Sequence, residues 1–299
     1  MKRFLHQATL FLGVSLAILM ALEIPIQWNY EIQNADMADW QKLGGINADI
    51  VFIGNSRTWH SLDAHKASEK TGRNIYALAQ DGWQARLLNR KLRNYLQQNR
   101  SPDIIFIQSD PAFCGTRTNW YSKSNFLKYL FLDREDLQDL MKAYEGYHWW
   151  DWSIPAIRYA GLPGRYLTDA TGSNMGIYRR HGTLPESAGV QKRLPPIPMD
   201  DWKCSVKSTA WIDSLKRQCP SSQIVLWHPP ISQALFEKRD ISAIASYSKE
   251  HNTPLLDLGK ASLEDSLFKD NTHVNKFGSI WTTDTVIAFI QELNALQQP

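Results

Sequence analysis

Short apolar runs alternate with amphipathic stretches along much of the chain. The runs occupy residues 49–53, 74–79, 103–107, 223–227 and 254–257, and several are closely followed by glycine or proline. From Trp83 to Gln98, leucines recur at helical spacing among arginines and glutamines, and a last helix is predicted from about Lys276 to Leu296. Uninterrupted apolar runs suit strands that are buried on both faces. The pattern predicts an α/β fold, with a central parallel sheet between two layers of helices and ligands at the carboxyl ends of its strands.

The first 27 residues have a different character. Lys2 and Arg3 precede fifteen uncharged residues, Ala8 to Leu22, as in an export or anchoring signal. A bilayer core needs about twenty apolar residues, so this stretch spans it only with apolar neighbours or in a thinner bilayer. The clear small-x-small pair, Ser15 and Ala17, lies inside the run, which argues against cleavage. We predict a single-pass anchor in the inner membrane with the rest facing the periplasm or cell exterior; a cleaved segment would give a secreted protein.

Two other segments interrupt the strand and helix pattern. Residues 28–47 are polar and mixed, which is typical of a spacer. Residues from about 114 to 203 combine proline, glycine and aromatic side chains without a clean period, and we interpret them as an insertion or lid. The predicted organisation is therefore an anchor at 1–27, a spacer at 28–47 and an α/β domain at 48–299 that contains the insertion.

Composition and charge remove several classes of protein. The 299 residues are 43% hydrophobic, enough for a large core, so disorder, a collagen-like fibre and a disulfide miniprotein are excluded. A net charge of +3 is too even to suggest a nucleic-acid partner. The three cysteines lack the CxxC spacing of zinc or redox sites, so we predict no metal and no cofactor. Cys204 and Cys219 either close a local loop or stay unpaired, and Cys114 is left over.

The first candidate for chemistry follows the first apolar run directly. Gly54-Asn55-Ser56 lies between a predicted strand and a predicted helix, so the serine hydroxyl sits at the carboxyl edge of the sheet. Backbone N–H groups at such a turn point toward an oxyanion that forms there. The alternative is structural, with Asn55 or Ser56 serving only as the helix cap.

The second candidate is Asp270-x-x-His273, just before the last helix. A carboxylate three residues away can hold the imidazole in the tautomer that accepts a proton from a serine. The alternative is a structural Asp and His at a helix start. Among other histidines, His228 ends a strand and is interpreted as a pocket-wall residue. Surface positions are expected for His60 and His65, and the alternative for His60, one turn after Ser56, is a contact with the pocket.

Together these motifs resemble a known superfamily. Gly54-Asn55-Ser56, Gly82 after the second strand and Asp270-x-x-His273 resemble the SGNH, or GDSL-like, hydrolases. Residues 268–278 are similar to the carboxyl-terminal block of its membrane-anchored, cell-envelope members. The resemblance covers roughly residues 49–108 and 223–296, and it implies a three-layer α/β/α, flavodoxin-like fold. It also implies roles: Ser56 as nucleophile, His273 as general base and Asp270 as its orienter.

The oxyanion site departs from the superfamily pattern. The resemblance implies the N–H groups of Ser56 and Gly82 as donors, together with an Asn side chain after the third strand. This chain has Gln108-Ser109-Asp110 there, and an ionised carboxylate cannot donate a hydrogen bond. Either Asp110 is protonated, or Gln108 substitutes, or the enzyme works with fewer donors.

Substrate contacts are expected around the same blocks. Asn55 and Arg57 flank the serine, and Trp59 and Trp83 each follow a motif within three residues. The tryptophans either stack on sugar rings or belong to the core, and the cluster of Trp149, Trp150 and Trp152 in the insertion allows the same two interpretations.

The resemblance implies serine-dependent acyl transfer to, or hydrolysis from, a cell-surface polysaccharide, with acetyl as the expected group. It includes acetyltransferase proteins of alginate export and the D-alanyl transfer protein of teichoic acid assembly, which implies a membrane acyl-donor protein as a partner. The alternative is a catalytically weak polysaccharide-binding or assembly protein with the same fold. A secreted lipase is disfavoured because nothing suggests a long acyl channel.

Overall fold

A computed structural model describes residues 1–32, 43–80, 85–110, 148–150, 163–171, 181–183, 209–236, 239–261 and 263–296. The chain forms two compact units. One unit combines Met1–Lys42 with Thr118–Tyr178, and the other combines Leu43–Arg117 with Arg179–Pro299. The second unit holds the sheet and both candidate motifs.

The sheet contains five parallel strands. They are β1 Ile50–Gly54, β2 Ile75–Ala79, β3 Ile104–Gln108, β4 Gln223–His228 and β5 Leu255–Asp257. Their order, β2-β1-β3-β4-β5, is that of a flavodoxin-like doubly wound sheet. The chain reverses its direction of winding between β1 and β3, and sheets of this kind bind their ligands at that switch point. The predicted α/β fold with a central parallel sheet is confirmed.

Helices cover both faces of this sheet. In chain order the α-helices of the described residues are α1 Lys2–Ile32, α2 Ser56–Ser61, α3 Ala64–Thr71, α4 Ala85–Leu96, α5 Pro163–Thr171, α6 Thr209–Gln218, α7 Gln233–Phe236, α8 Ser242–Glu250 and α9 Lys276–Leu296. Helices α2, α3 and α9 pack together on one face, and α4, α6 and α8 pack on the other. Two helical layers around one sheet make this unit a three-layer α/β/α structure.

The sequence forms these strands because both of their faces are buried. Every residue of β1 and β3 is buried. Phe52 and Phe106 stack across the two strands with ring centroids 4.3 Å apart, and Trp227 of β4 meets Phe52 edge-on at 5.3 Å. Since aliphatic side chains fill the rest of both faces, apolar burial stabilises the sheet and fixes its carboxyl edge in place.

The first unit is built around α1, which runs from Lys2 through Pro25 to Ile32. Residues 2–26 are long and apolar enough to cross a membrane, and most of their large side chains are exposed. This segment has the length and composition of a membrane anchor or a signal sequence. Near its end Glu23, Ile26 and Asn29 are buried, and the Asn29 amide donates to the carbonyls of Asp169 and Ala170 in α5, both at 3.1 Å.

Most of the predicted insertion, including Cys114, Trp152 and Cys204, lies outside the described residues. Cys219, which was considered as a partner of Cys204, is a buried free thiol after α6. Burial raises the pKa of this thiol to about 11, and hydrogen bonds with Ser101 and Ser222 only partly oppose that effect. The thiol is therefore protonated at neutral pH and has the character of a core side chain.

Candidate active site

Ser56 stands at the carboxyl end of β1, as the first residue of α2. Asn55 caps this helix, and its side-chain oxygen accepts a hydrogen bond from the Arg57 backbone N–H at 3.0 Å. A Cβ atom at Gly54 would overlap the Thr58 hydroxyl and the Gln108 side chain. Glycine therefore lets the helix begin directly at the strand end. The result is a tight strand-to-helix turn beside the switch point of the sheet.

Ser56, His273 and Asp270 form a chain of hydrogen bonds. The Ser56 hydroxyl lies 2.8 Å from His273 Nε2, although the two residues are 217 positions apart in the sequence. On the other side of the ring, His273 Nδ1 lies 2.9 Å and 3.0 Å from the two oxygens of Asp270. His273 and Asp270 are 24% and 22% exposed, so the arrangement is open to small molecules from solvent.

The loop that carries Asp270 fixes the orientation of its carboxylate. One oxygen accepts from the backbone N–H groups of Thr272 and His273, both at 2.8 Å, and from the Thr272 hydroxyl at 2.9 Å. Partial burial acts to raise the pKa of Asp270, but its hydrogen bonds and attraction to His273 outweigh burial and lower the pKa below the ordinary range. An ionised carboxylate only accepts hydrogen bonds. Nδ1 of His273 therefore carries a proton, and Nε2 can accept the one from Ser56.

Arg57 is buried directly behind the serine, with 2% of its side chain exposed. Its Nε donates to the Thr272 carbonyl at 3.0 Å, and one terminal nitrogen donates to the carbonyls of Pro229 at 2.9 Å and Pro230 at 2.7 Å. The other terminal nitrogen forms an ion pair with Asp110. Burial lowers the pKa of Arg57, whereas attraction to Asp110 works in the opposite direction.

Gln108 and Asp110 are both engaged with protein groups. Gln108 donates its amide hydrogens to Asn55 Oδ1 at 3.0 Å and to Asp110 at 2.9 Å. Its oxygen accepts from the Asn55 backbone N–H at 2.9 Å and the Thr58 hydroxyl at 2.7 Å. Of the three alternatives for the missing Asn donor, this arrangement favours neither a donating Asp110 nor a substituting Gln108. The alternative with fewer side-chain donors stays a prediction.

The residues expected to contact substrate have different positions. Trp59 is 5% exposed and belongs to the hydrophobic core, which matches the structural interpretation of this residue. Gly82 and Trp83 lie outside the described residues. Trp149 and Trp150, in the other unit, are 63% and 36% exposed, so their rings are partly available at the surface.

The surface position predicted for His60 is wrong. His60 is only 9% exposed, and its ring stands perpendicular to that of His273 with centroids 5.4 Å apart. The indole N–H of Trp59 donates to His60 Nδ1 at 2.9 Å. The error came from treating α2 as a surface helix, whereas five of its six residues are buried. The spacing agrees with the alternative, a contact with the pocket, because residues four apart lie on the same helix face and His60 is four residues after Ser56.

His228 and His65 have other partners in the structure. His228 is fully buried, and its Nδ1 contacts the Pro229 carbonyl at 2.7 Å. Burial and the nearby charges of Arg57 and Arg239 hold the pKa of His228 well below its usual range. His65 is partly exposed and pairs with Glu69 at 3.3 Å. Within the described ranges, no three His, Cys, Asp or Glu side chains come together as a metal-binding group.

Comparisons with known proteins give only distant similarity. No family model and no curated protein matches the chain. A solved structure described as a platelet activating factor from Streptococcus pneumonia aligns at 12% identity over 94% of this chain and 98% of its own, with a TM-score of 0.41. An acetyl xylan esterase from the rumen bacterium Butyrivibrio proteoclasticus aligns at 10% identity over 82% of this chain and 64% of its own, with a TM-score of 0.39. The assignment of function therefore rests on the site itself.

Proposed function

We propose that the protein is a serine-dependent esterase or O-acyltransferase of the SGNH type, acting on an acyl group of a cell-surface polysaccharide. The observation that carries this proposal is the hydrogen-bonded chain from Ser56 through His273 to Asp270. Serine, imidazole and carboxylate in this order are the groups that activate a hydroxyl for attack on a carbonyl. Their position at the carboxyl edge of a doubly wound sheet is where such folds bind ligands.

The reaction would follow from the directions of these hydrogen bonds. Ser56 Oγ attacks the ester carbonyl while His273 Nε2 takes its proton, and Asp270 stabilises the imidazolium that forms. Collapse of the tetrahedral intermediate breaks the ester bond, and His273 returns the proton to the departing alcohol. Water or a sugar hydroxyl then attacks the acyl-serine with His273 again as base, the bond from the acyl group to Ser56 Oγ breaks, and His273 returns the proton to Oγ. The choice between water and sugar separates hydrolysis from transfer.

The oxyanion would be stabilised mainly by backbone groups. We assign the N–H of Ser56 to this role, with the N–H of Gly82 as the second donor. Removing one oxyanion donor typically costs about a hundredfold to a thousandfold in rate. A site without the third-strand Asn is therefore expected to be slower than a fully equipped esterase.

The substrate class is inferred from motif resemblance and from the amino-terminal helix. An anchored enzyme outside the inner membrane would meet polysaccharide during export. We propose acetyl as the group because acetyltransferase proteins of alginate export are among the proteins that the motifs resemble. A membrane acyl-donor protein would be the partner of a transferase. The partial exposure of His273 leaves its ring accessible to an acceptor hydroxyl.

One observation favours a second candidate function. The Asp110 carboxylate and both amide hydrogens of Gln108 are engaged with protein groups, so neither side chain is presented as an oxyanion donor. A protein of this kind could bind or assemble polysaccharide with little catalysis. Glycan binding by a wild-type protein whose serine is unreactive would support this second function.

A serine-reactive phosphonate probe tests the proposal without knowledge of the polymer. We expect the full-length protein in detergent to form an adduct that mass spectrometry locates at Ser56. Ser56→Ala should not react, His273→Ala should react far more slowly, and Ser61→Ala, a buried serine in the same helix, should react normally. Equal labelling of wild type and His273→Ala would refute an activated serine.

A further inference from the structure

A single buried guanidinium ties together four segments around the candidate nucleophile. Arg57 directly follows Ser56, and its Nε donates to the carbonyl of Thr272, the residue directly before His273. Its terminal nitrogens reach Asp110 after β3 and the two proline carbonyls after β4. The bridge from Arg57 to Thr272 thus joins the nucleophile's helix to the loop of the base.

We propose that Arg57 and Asp110 form a positioning pair that holds His273 at the distance where it can take the Ser56 proton. This inference rests on the proposed function, because only an activated serine needs that distance. The contacts of Arg57 and Asp110 do not depend on the function. Neither residue would touch the substrate. Arg57 is 2% exposed and Asp110 is fully buried, and four donated hydrogen bonds from the guanidinium already end on protein oxygens.

The identity of residue 110 follows from the charge of Arg57. A buried guanidinium without a counter-ion is strongly destabilising, because both charge and donors lose water. Asp110 supplies the opposite charge within the same buried layer. An Asn at this position could donate to an oxyanion but would leave the charge of Arg57 unbalanced. The departure from the superfamily pattern is thus explained as the counterpart of an arginine beside the serine.

A closed ring of hydrogen bonds keeps this pair rigid. Arg57 binds Asp110, which accepts from Gln108 at 2.9 Å, and Gln108 donates to Asn55 at 3.0 Å. Asn55 returns to Arg57 by accepting its backbone N–H at 3.0 Å. Polar networks whose members are all satisfied specify one conformation. Ser56 lies between Asn55 and Arg57 in the chain, so its position is fixed as well.

The test compares three variants of the full-length protein in detergent. Arg57→Lys keeps the charge but cannot donate to all three segments that the guanidinium reaches, and Asp110→Asn keeps the shape but removes the counter-ion. Because a misplacement of about 1 Å can cost roughly a hundredfold in rate, we expect kcat to fall about tenfold to a hundredfold while KM changes less than about threefold. The double variant Arg57→Gln with Asp110→Asn is a neutral pair that leaves no buried charge. It should show the same loss of kcat, and it takes the place of a single variant that folds poorly.

Asp110→Asn separates this inference from its main rival. If residue 110 belongs to the oxyanion site, introducing the amide supplies a donor, and kcat should rise by as much as about a hundredfold. The positioning role predicts a fall. A rise in kcat, or wild-type kcat in Arg57→Lys, would overturn the inference while leaving the proposed function intact.

A matched control and a spectroscopic readout complete the experiment. Arg73→Lys makes the same substitution at an arginine that pairs with Asp103 before β3, and it should leave kcat unchanged. The imidazole proton shared between His273 and Asp270 gives a downfield nuclear magnetic resonance signal, which should shift or broaden in Arg57→Lys but not in Arg73→Lys. This signal reads the position of the loop even if no ester is turned over, and an unchanged signal in Arg57→Lys would refute the positioning role.

Discussion

Asp270 shows how single hydrogen bonds define the site. Its carboxylate accepts from two backbone N–H groups, from the Thr272 hydroxyl and from His273 Nδ1. Three of these four contacts do not involve the imidazole, so the carboxylate keeps its direction whether or not His273 is charged. That direction leaves Nε2 of His273 facing the serine.

The lowered pKa of Asp270 predicts how stability depends on pH. The folded pKa lies below the ordinary value of about 3.9. Between these two pKa values the unfolded chain binds more protons than the folded one, so stability rises with pH. The contribution of Asp270 should be complete above about pH 4 and should disappear as pH falls through the folded pKa. Urea unfolding should show a difference in the free energy of unfolding between wild type and Asp270→Asn, and this difference should narrow as the pH falls over this range. A difference that stays constant down to the lowest pH would contradict the assigned interaction.

His60 carries a separate prediction. Its perpendicular contact with His273 is an aromatic pair, which contributes about 0.5–1.5 kcal/mol beyond the area it buries. We expect His60→Ala to lower kcat for a small ester by up to about tenfold with little change in KM, and His60→Phe to recover most of the loss. Steady-state kinetics of both variants measures this. Wild-type kcat in His60→Ala would show that the ring contact has no role in orienting His273.

The sequence was sufficient to predict that the side chains of Ser56, Asp270 and His273 meet, and the structure places them in one chain of hydrogen bonds. It was not sufficient for Arg57 or His60. The role proposed for Arg57 depends on carbonyls at positions 229, 230 and 272, which only the fold brings together. Burial of α2 on nearly all sides likewise depends on the packing of α9 and cannot be read from six residues.

At the scale of elements, the turn from β1 to α2 is the most constrained junction. Gly54→Ala places a Cβ against the Thr58 hydroxyl and Gln108, so either α2 or the Gln108 network has to shift. Overpacking of this kind costs about 1–3 kcal/mol, and the displacement of Ser56 should also lower kcat. Gly164→Ala in α5 is the control, since nothing lies within 4 Å of the added atom. Denaturant unfolding and kinetics check both effects. A Gly54→Ala protein with the stability and kcat of wild type would contradict the close contacts at this turn.

Element boundaries were predictable where burial on both faces leaves an uninterrupted apolar run. The strands were found for this reason, and α9 has the predicted bounds of Lys276–Leu296. The end of α1 was harder to predict from the sequence. The polar residues after Trp28 are typical of a spacer, but the helix continues to Ile32. Asn29 explains the difference, since its amide is satisfied by carbonyls of α5, more than a hundred residues away.

At the scale of the molecule, α1 has two parts with different surroundings. Its first turns expose large apolar side chains, whereas Glu23, Ile26 and Asn29 are buried at a regular spacing of three residues. Cleavage after Ile26, where the segment that is long and apolar enough to cross a membrane ends, would remove two of these three buried residues. We therefore expect the mature protein to keep its amino terminus and to remain in the membrane fraction after alkaline carbonate washing. Intact mass measurement and fractionation check this, and a mature chain that begins after Ile26 would contradict a retained anchor.

The most direct test of the central claim is acetyl release from a small activated acetate ester by the full-length protein in detergent. Wild type, Ser56→Ala and His273→Ala are compared, with Ser61→Ala as the control from the same helix. We predict turnover by wild type and Ser61→Ala, and a loss of about a thousandfold or more in each of the other two variants. Turnover by Ser56→Ala at the wild-type rate would contradict the account, because the ester would then be cleaved without the serine on which the proposed mechanism depends.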